Sequence, residues 1–477
     1  MAALNAPAFT VVNVTLGERP TPLRLPFRFG AATVTAAPQA FVRATLRFAD
    51  GARRSGMTAE LMVPKWFDKN PLLGNDANAD QLRLSLQIAT DAYRSDSVPR
   101  TAFGHAACHI TSIIEEGAHR GLPSLAAAFG AAELDKAIVD AVCAQRGLSF
   151  FDAVRDNALG LDTSRTPDIA GADVDAFLAD LRSAPTIECR HTVGMADAIA
   201  ADEAPLVDGL PATLEDAIAA YGLRWFKLKL AGDADADVAR LTRIARVLDR
   251  LPAYRATLDG NEQYGTAALA EFLARFRREP VLARLAQSVA WIEQPIARAA
   301  TMHTDVTTLA RAFPLMIDEA DDSYAAFAHA HRLGYDGVSS KGCKGLYKSL
   351  LNALRVAQLN AAGARCFVSA EDLTAQAGLA VQQDCALAAI LGCTHAERNG
   401  HHYAFGMSAA PRDEQQRFAA AHPDLYADVD GTACLAVRDG RIALDSLDAP
   451  GFAHAADPDF DAMSPMRVVA TQASVHE

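Results

Sequence analysis

Short apolar segments, each ending in a charged residue, recur through the second half of the chain. They lie at 225–229, 255–259, 289–293, 314–318 and 336–341, and they end in Lys229, Asp259, Glu293, Asp318 and Lys341. The steps between these charged residues are 30, 34, 25 and 23 positions, and each interval contains a helix-like stretch. Strands and helices alternating at this interval predict a parallel (β/α) barrel, in which functional groups collect at the carboxyl ends of the strands.

Two lysines share the first of these segments. Lys227 and Lys229 lie two positions apart, so on a strand their side chains project from the same face. Repulsion between two ammonium groups, together with partial burial, lowers a lysine pKa toward the range in which the amine acts as a base. A Lys-x-Lys pair by itself is more typical of a solvated edge strand, and the segments that follow it favour a functional role.

The three carboxylates would repel one another at the mouth of a barrel unless a cation lay between them. Oxygen ligands select a hard divalent ion, so we expect Asp259, Glu293 and Asp318 to bind one Mg²⁺ ion. Each carboxylate also has a simpler interpretation. Asp259 begins an Asp-Gly-Asn sequence that alone is typical of a turn, and Glu293 could cap a helix or form a loop salt bridge. Glu319 competes with Asp318 for the third position, because neighbouring strand residues face opposite ways.

Five motifs surround these residues, in order along the chain. They are Lys227-Leu228-Lys229, Leu258-Asp259-Gly260-Asn261, Ile292-Glu293-Gln294-Pro295, Ile317-Asp318-Glu319-Ala320 and Ser340-Lys341-Gly342-Cys343-Lys344-Gly345. Together they resemble the mandelate racemase and muconate lactonizing enzyme branch of the enolase superfamily. The resemblance implies an α/β fold, a modified (β/α)7β TIM-like barrel with an N-terminal α+β capping domain that the C-terminal segment completes. Lysine or histidine bases with Mg²⁺ are the known pattern of this superfamily.

The resemblance also implies roles for residues at the strand ends. It favours Asp318 as the third metal ligand, and it matches Lys341 to the lysine of the sixth strand. A histidine and aspartate dyad is not evident, which favours lysine bases on both sides of the substrate. Further candidates for contacting the metal ligands or the substrate are Asn261, Glu319, Glu371, Asp372, Arg398 and Trp66.

The first part of the chain has a different pattern. Alternating apolar and polar residues in 8–63 predict an antiparallel meander, whereas 79–158 has helical periodicity with Leu134, Ile138 and Val142 on one stripe. Strands followed by helices favour an α+β unit. We predict a capping domain over 1–158, a connection over 159–185, the barrel over 186–410, and a C-terminal segment over 411–477, including a hairpin at 436–444, that returns to the capping domain.

The segment 64–76 lies between the predicted strands and helices and is rich in turn-forming residues. It carries an exposed-looking Trp66-Phe67 pair. One interpretation is a surface connection tethered by its aromatic residues. The other is a mobile lid over the barrel mouth, which the family resemblance implies. The sequence pattern does not separate these two interpretations.

Composition and charge exclude several other classes of protein. The chain has 477 residues and a formal net charge of −13 without a basic stripe, so neither nucleic acid nor a membrane surface is an expected partner. The eight cysteines form no Cys-x-x-Cys pair, which favours reduced thiols. The N-terminus lacks the features of a signal peptide, and no apolar run approaches the roughly 18 residues of a membrane span. We expect a soluble cytoplasmic protein that could form a homo-oligomer.

The histidines are less informative than the lysines. His329 and His331 have the spacing of a metal-binding pair but lie in a predicted helix, which favours solvated side chains. His395, His401 and His402 lie near the last predicted strand, where they could contact substrate or have a structural role.

The candidate residues together indicate abstraction of a proton α to a substrate carboxylate. Mg²⁺ would stabilise the charge that develops as an enediolate forms, Lys229 would take the proton, and Lys227 would be its cationic partner. Lys341 would face the other side of the α-carbon, which suits a racemase or epimerase. A lyase, such as a dehydratase, or a cycloisomerase would use the same scaffold with one base. From a different class, a non-catalytic metabolite-binding barrel is the alternative.

Overall fold

The computed structural model describes residues 6–204 and 206–469. Residues 1–5 and 470–477, at the ends of the predicted capping domain and C-terminal segment, lie outside the described residues. The strands are β1 (Phe9–Phe29), β2 (Ala32–Phe48), β3 (Arg53–Leu61), β4 (Thr186–Val193), β5 (Trp225–Lys229), β6 (Arg255–Asp259), β7 (Val289–Glu293), β8 (Leu315–Ile317), β9 (Gly337–Ser340), β10 (Phe367–Ala370), β11 (His395–Arg398), β12 (Tyr426–Val429), β13 (Thr432–Leu435), β14 (Arg441–Ala443) and β15 (Ser464–Pro465).

Helices fill most of the intervals between these strands. They are α1 (Asn75–Ser95), α2 (Ala102–His119), α3 (Ser124–Arg146), α4 (Phe150–Arg155), α5 (Val174–Asp180), α6 (Leu214–Tyr221), α7 (Ala234–Leu248), α8 (Thr266–Arg278), α9 (Ala283–Ser288), α10 (Arg298–Thr301), α11 (Thr307–Ala310), α12 (Ala326–Arg332), α13 (Leu346–Ala361), α14 (Leu379–Ile390), α15 (Gly400–Tyr403) and α16 (Arg412–Ala421). Among the described residues, no helix is both long enough and apolar enough to cross a membrane.

The N-terminal part is a β-rich cap covered by helices. Its antiparallel sheet has the strand order β15-β1-β2-β3, so the predicted meander is present. Helix α3 packs against β3 and α1, and the predicted stripe of Leu134, Ile138 and Val142 is fully buried. Even Glu133 and Lys136 of α3 are buried, because this helix also contacts the 3₁₀ turn at 342–344 of the barrel. α3 is therefore enclosed between the cap and the barrel.

Eight parallel strands, β4 to β11, form a closed barrel. Each strand pairs with its neighbour in sequence, and β11 returns to β4 with His395 opposite Glu188 and Arg398 opposite His191. Helical segments connect the successive strands. The predicted (β/α)7β barrel is confirmed. Closure places β5 and β9 on opposite walls, because four strand steps separate them in either direction around the ring.

The C-terminal segment contacts both parts of the molecule. β14 pairs antiparallel with the first residues of β4, with Ile442 opposite Ile187, and β15 pairs with β1, with Pro465 opposite Gly17. The prediction that the hairpin at 436–444 returns to the capping domain is wrong. Its strand β14 instead covers the start of β4, whose pairing with β5 begins only at Arg190 and leaves that backbone edge available.

Close packing of α3 on β3 requires glycine at position 56. A Cβ atom at Gly56 would lie 2.2 Å from both the Ala137 carbonyl oxygen and the Ala141 amide nitrogen. We therefore expect Gly56→Ala to lower the free energy of unfolding by about 1–3 kcal/mol, measured by urea denaturation, because the helix must move away from the sheet.

The matched control is Gly171→Ala, where a Cβ atom would meet nothing within 4 Å. We expect this control to change the stability by less than about 0.5 kcal/mol. If Gly56→Ala were as stable as the unsubstituted protein, the described packing of α3 would be contradicted.

Candidate active site at the barrel mouth

The ammonium group of Lys227 lies at the centre of four carboxylates. Its Nζ atom lies 3.0 Å from Asp259 Oδ2, 2.7 Å from Glu293 Oε2, 2.8 Å from Glu371 Oε2 and 2.8 Å from Glu397 Oε2. All five side chains are buried. One amine from β5 therefore joins the carboxyl ends of β6, β7, β10 and β11. We call Lys227, these carboxylates and the charged side chains that pair with them the central cluster.

This environment sets the charge of Lys227. Burial alone would lower its pKa, but the attraction of the four carboxylates outweighs burial and holds the pKa well above the ordinary lysine value. The sequence predicts Lys229 as the base and Lys227 as its cationic partner. The raised pKa of Lys227 agrees with the role of cationic partner, because four carboxylates at 3.0 Å or less outweigh burial and the second ammonium group. Lys227 is a fixed positive charge.

Lys229 lies at the mouth end of the same strand. Its Nζ atom lies 2.5 Å from Asp259 Oδ2, the oxygen that Lys227 also contacts. The rings of Phe27 and Phe29, both from β1, lie 5.9 and 6.0 Å from Nζ. The two lysines therefore project from the same face of β5, and the capping domain covers the outer one with aromatic rings.

Lys341 follows β9 on the opposite wall. Its Nζ atom lies 2.6 Å from Asp318 Oδ2 and 4.2 Å from the centre of the Trp66 ring. Burial alone would lower the pKa of Lys341, but the Asp318 carboxylate outweighs burial and raises it. Asp259, Glu293 and Asp318 form a row of carboxylates along the ends of β6, β7 and β8. Lys229 pairs with one end of this carboxylate row and Lys341 with the other, and both amines lie beneath aromatic side chains of the cap.

The three carboxylates at the ends of β6, β7 and β8 have the chemistry of an oxygen-ligand cation site. Neither oxygen of Glu293 accepts a hydrogen bond, although Lys227 Nζ lies close to one of them. Burial first, and then the Asp259 and Glu371 carboxylates, raise the pKa of Glu293 well above its ordinary value. A buried carboxylate that lacks hydrogen-bond donors and lies beside other carboxylates is stabilised by a bound cation. Asp259, Glu293 and Asp318 therefore fit a hard divalent ion.

The turn after β6 directs Asp259 into the barrel mouth. Its Oδ1 atom accepts a hydrogen bond of 2.8 Å from the backbone amide of Asn261. Gly260 allows this turn to approach the next one, because a Cβ atom there would lie 2.6 Å from Pro295 Cα. The Asp-Gly-Asn sequence is thus a turn that also orients the carboxylate, so both interpretations of it apply.

Asp318 and Glu319 face different partners. Asp318 pairs with Lys341, and its backbone amide donates a 2.8 Å hydrogen bond to Gln294 Oε1. Glu319 is buried, and its Oε1 atom lies 3.3 Å from Lys69 Nζ. The structure therefore places Asp318 in the lysine and carboxylate cluster and Glu319 beside the segment that covers it.

The segment 64–74 covers the barrel mouth. Trp66 and Phe67 are only 4 % and 3 % exposed, so the prediction that this pair is exposed is wrong. The Trp66 ring packs on Lys341, and Arg298 donates hydrogen bonds of 2.8 and 2.9 Å to the carbonyl oxygens of Trp66 and Phe67. The aromatic pair is held against the barrel, which fits a tethered connection as well as the closed position of a lid, so the mobility of the segment stays a prediction.

Lys69 attaches this covering segment to two barrel loops. Its Nζ atom lies 2.6 Å from Glu262 Oε2 and 3.3 Å from Glu319 Oε1, and it donates a 2.8 Å hydrogen bond to the Asn261 carbonyl oxygen. A cavity of about 450 Å³ lies beside Lys69 and is also lined by Phe29. The cavity therefore adjoins the covering segment and the aromatic ring of Phe29, which lies near Lys229.

Three other predicted residues occupy different environments. Glu371 contacts Lys227, as described above, and also pairs with Arg190. Asp372 and Arg398 lie 3.5 Å apart, and Arg398 lies 2.6 Å from Asp384. Glu371 therefore belongs to the central cluster, whereas the charges of Asp372 and Arg398 are balanced within a separate group.

The histidines near the last strand are packing groups. His395 stacks on Trp225 with a ring separation of 3.8 Å, and burial lowers its pKa to about 2. His401 and His402 are buried beside His191, and burial lowers the pKa of all three well below the ordinary histidine value. These neutral rings favour the structural interpretation.

Two charged residues of the central cluster were missed by the sequence analysis. Glu397 at the end of β11 contacts Lys227; burial disfavours its charge, but Lys227 and then Lys229 hold its pKa well below the ordinary value. Arg190 on β4 pairs with Glu371 and donates a 2.9 Å hydrogen bond to the Ala370 carbonyl oxygen. The sequence does place Arg190 in the first predicted barrel strand and Glu397 in the last one, and closure of the barrel brings these two strands together.

Comparisons with known proteins agree with this architecture. A family profile described as enolase C-terminal domain-like matches residues 209–460. The sequence has no significant match among curated proteins. Solved structures with a similar fold include 2-chloromuconate cycloisomerase from Rhodococcus opacus 1CP, at 17% identity and a TM-score of 0.59, covering 95% of this chain and 98% of that chain.

Two further similar structures contain bound ligands. A dipeptide epimerase from Enterococcus faecalis V583, complexed with Mg and the dipeptide L-Leu-L-Tyr, has 14% identity and a TM-score of 0.57 over 93% of this chain and 99% of that chain. An enolase from Bradyrhizobium, complexed with magnesium and mandelic acid, has 17% identity and a TM-score of 0.59 over 94% of this chain and 96% of that chain. At these identities the similarity establishes a common fold.

Removal of the central ammonium group should destabilise the barrel. We expect Lys227→Met to lower the free energy of unfolding by about 3–5 kcal/mol in the absence of divalent cations, because it leaves buried carboxylates unpaired. Urea denaturation at neutral pH measures this change. Adding Glu397→Gln should restore part of the loss, whereas Glu397→Gln alone should destabilise the protein. A Lys227→Met variant as stable as the unsubstituted protein would show that the cluster does not hold the barrel together.

Removal of the attachment at Lys69 should loosen the covering segment. In Lys69→Met we expect amide hydrogen exchange in residues 65–73 to become roughly tenfold faster, because the segment loses its contacts with Glu262 and Glu319. Exchange in α13 provides the internal control and should not change. Unaltered exchange in 65–73 would mean that other contacts hold the segment.

Proposed function

Because the chain belongs to the enolase superfamily, we propose that it catalyses Mg²⁺-dependent removal and return of the proton α to a substrate carboxylate, as a racemase or epimerase. The observation that carries this proposal is the position of Lys229 and Lys341. They lie on opposite walls of the barrel, and each pairs with a different end of the carboxylate row. Two amines on opposite sides of one site suit a reaction that removes a proton from one face and returns it to the other.

Asp259, Glu293 and Asp318 are the residues that would hold the Mg²⁺ ion. Bound there, the ion supplies positive charge that stabilises the negative charge developing on the substrate carboxylate. Glu293 supports this assignment, because among the described residues its Oε1 atom has no partner and its Oε2 atom contacts the ammonium group of Lys227 at 2.7 Å.

The three lysines have different roles in the proposed reaction. Lys227 stays protonated between its carboxylates, so it contributes a fixed positive charge rather than a base. Lys229 and Lys341 each have one carboxylate partner close by, and each reaches the site from its own wall. Against burial, and unlike Lys227, Lys341 owes its raised pKa mainly to one carboxylate, Asp318, whose negative charge a bound ion would offset. One of them takes the α-proton from one face of the substrate, and the other delivers a proton to the opposite face.

The capping domain keeps water from the reacting atoms. Phe27 and Phe29 cover Lys229, and Trp66 covers Lys341, so both amines lie beneath aromatic rings. A substrate would enter through the cavity beside Lys69, and opening of the covering segment would admit it. Exclusion of water strengthens each electrostatic interaction in the closed site.

Deuterium exchange tests the proposal. Wild-type protein with Mg²⁺ in D₂O is incubated with enantiomer pairs of mandelate, dipeptides such as Leu-Tyr, N-acyl amino acids and sugar acids, and the α-deuterium content is measured by mass spectrometry. We expect at least one pair to exchange in both enantiomers. Lys229→Arg and Lys341→Arg keep the charge but cannot act as bases, so each should slow exchange of one enantiomer by at least about 100-fold.

Other outcomes identify the alternatives. Loss of water or ring formation, with only one lysine required, would indicate a lyase or cycloisomerase and overturn the racemase assignment. Absence of exchange with every acid, together with ligand binding that survives both arginine substitutions, would indicate a non-catalytic binding protein. If both arginine variants exchanged like wild type, the lysines would not be the bases.

A further inference from the structure

A second group of metal-binding side chains lies in the capping domain. Within residues 6–204 and 206–469, Asp96, His105 and His109 are a group whose donor atoms all lie within 4.8 Å of one another. Asp96 follows the end of α1, and the two histidines lie one turn apart on α2. None of these three residues belongs to a barrel strand or contacts the lysines and carboxylates of the candidate active site, so this group is separate from it.

The hydrogen bonding of His105 leaves one ring nitrogen free. Its Nε2 atom lies 2.9 Å from the carbonyl oxygen of Phe9, which can only accept a hydrogen bond. Nε2 must therefore carry the proton, and Nδ1 of the neutral ring presents a lone pair. That Nδ1 atom is fully buried and has no hydrogen-bond partner in the part of the chain that the structure describes. A ligating histidine is oriented in this way when its other nitrogen donates to a backbone carbonyl.

The free lone pair of His105 faces another acceptor. Nδ1 lies 4.0 Å from Asp96 Oδ2, a separation too long for a hydrogen bond. Ligand atoms bound to one tetrahedral zinc ion lie about 3.3 Å apart, so a small contraction would bring both atoms onto the same ion. A cation would convert two facing acceptors from a repulsive pair into a pair of ligands.

His109 completes the group and provides access. Its Nε2 atom donates a 3.1 Å hydrogen bond to Asp96 Oδ2, so a bound ion would replace this proton, and its side chain is 12 % exposed. An ion could reach the site from the His109 side.

We propose that Asp96, His105 and His109 bind a divalent transition-metal ion of the zinc class. Two imidazoles and one carboxylate are a ligand set that favours Zn²⁺, or the neighbouring transition metals, over Mg²⁺. The ion would join the end of α1 to α2. Through His105 and the Phe9 carbonyl it would also fix the start of β1, which pairs with Arg100 at the same corner.

One neighbouring charge opposes the binding of a cation. Arg100 Nε lies 2.7 Å from Asp96 Oδ2, the same oxygen that faces both histidines. If the group exists only as a hydrogen-bond network, removal of this guanidinium weakens it. If the group binds a metal ion, removal of a positive charge beside the ion tightens binding. Arg100→Gln therefore separates the two interpretations.

The test is zinc titration of the full chain with Mg²⁺ saturating, in competition with a chromophoric zinc chelator. We expect wild type to bind one more Zn²⁺ ion than His109→Ala, whose affinity at this site should fall by more than about 100-fold. Arg100→Gln should bind about tenfold more tightly or better. Cys108→Ser, which removes the exposed thiol next to His109, is the control and should bind like wild type.

X-ray absorption at the zinc edge of the wild-type protein keeps the proposal testable if a variant fails to fold. The spectrum should show two imidazole ligands, which the carboxylates and lysines of the barrel cannot supply. Equal zinc stoichiometry in wild type and His109→Ala, weaker binding in Arg100→Gln, or a spectrum without imidazole scattering would each overturn the proposal. Failure of the proposed racemase activity would not affect any of these measurements.

Discussion

The balance of charge around Lys227 is the constraint on which the rest of the barrel depends. In the central cluster five carboxylates face the guanidinium of Arg190 and four lysine ammonium groups, since Lys344 Nζ also lies 3.5 Å from Asp318 Oδ1. Unpaired, these buried carboxylates would cost several kcal/mol each. The cluster is tolerated because each strand end supplies a partner for its neighbours. The raised pKa of Glu293, which follows from burial and then from the adjacent carboxylates, marks the place where one more positive charge would be stabilised.

The capping domain covers the charged groups that the barrel holds at its mouth. The barrel closes into a ring and sets the positions of the charged groups, but its mouth alone would leave the outer lysines in water. Aromatic rings from β1 and from the segment after β3 cover Lys229 and Lys341. The enclosed helix α3 and the attachment of Lys69 hold this cover against the barrel. The barrel therefore supplies the charged groups, and the capping domain excludes water from them.

Much of this arrangement could be predicted from local sequence. Apolar segments ending in Asp259, Glu293 and Lys341 identify parallel strands and their functional ends, because strand period and barrel spacing are local properties. Closure of the last strand onto the first depends on contacts two hundred residues apart, so the roles of Glu397 and Arg190 were not visible. The burial of Trp66 likewise depends on a distant lysine. The cationic role of Lys227 could be predicted from its neighbour Lys229, but the four carboxylates that hold its charge come from distant strands and could not be counted from the sequence.

The central claim is that one divalent ion lies between three consecutive strand ends, with amines on either side of it. The most direct measurement is the anomalous diffraction of crystals soaked in Mn²⁺ as a substitute for Mg²⁺. We expect one peak within coordination distance of an oxygen of each of Asp259, Glu293 and Asp318, with Lys229 and Lys341 on opposite sides of it. A peak elsewhere in the barrel, or either lysine turned to bulk solvent beside the bound ion, would contradict it.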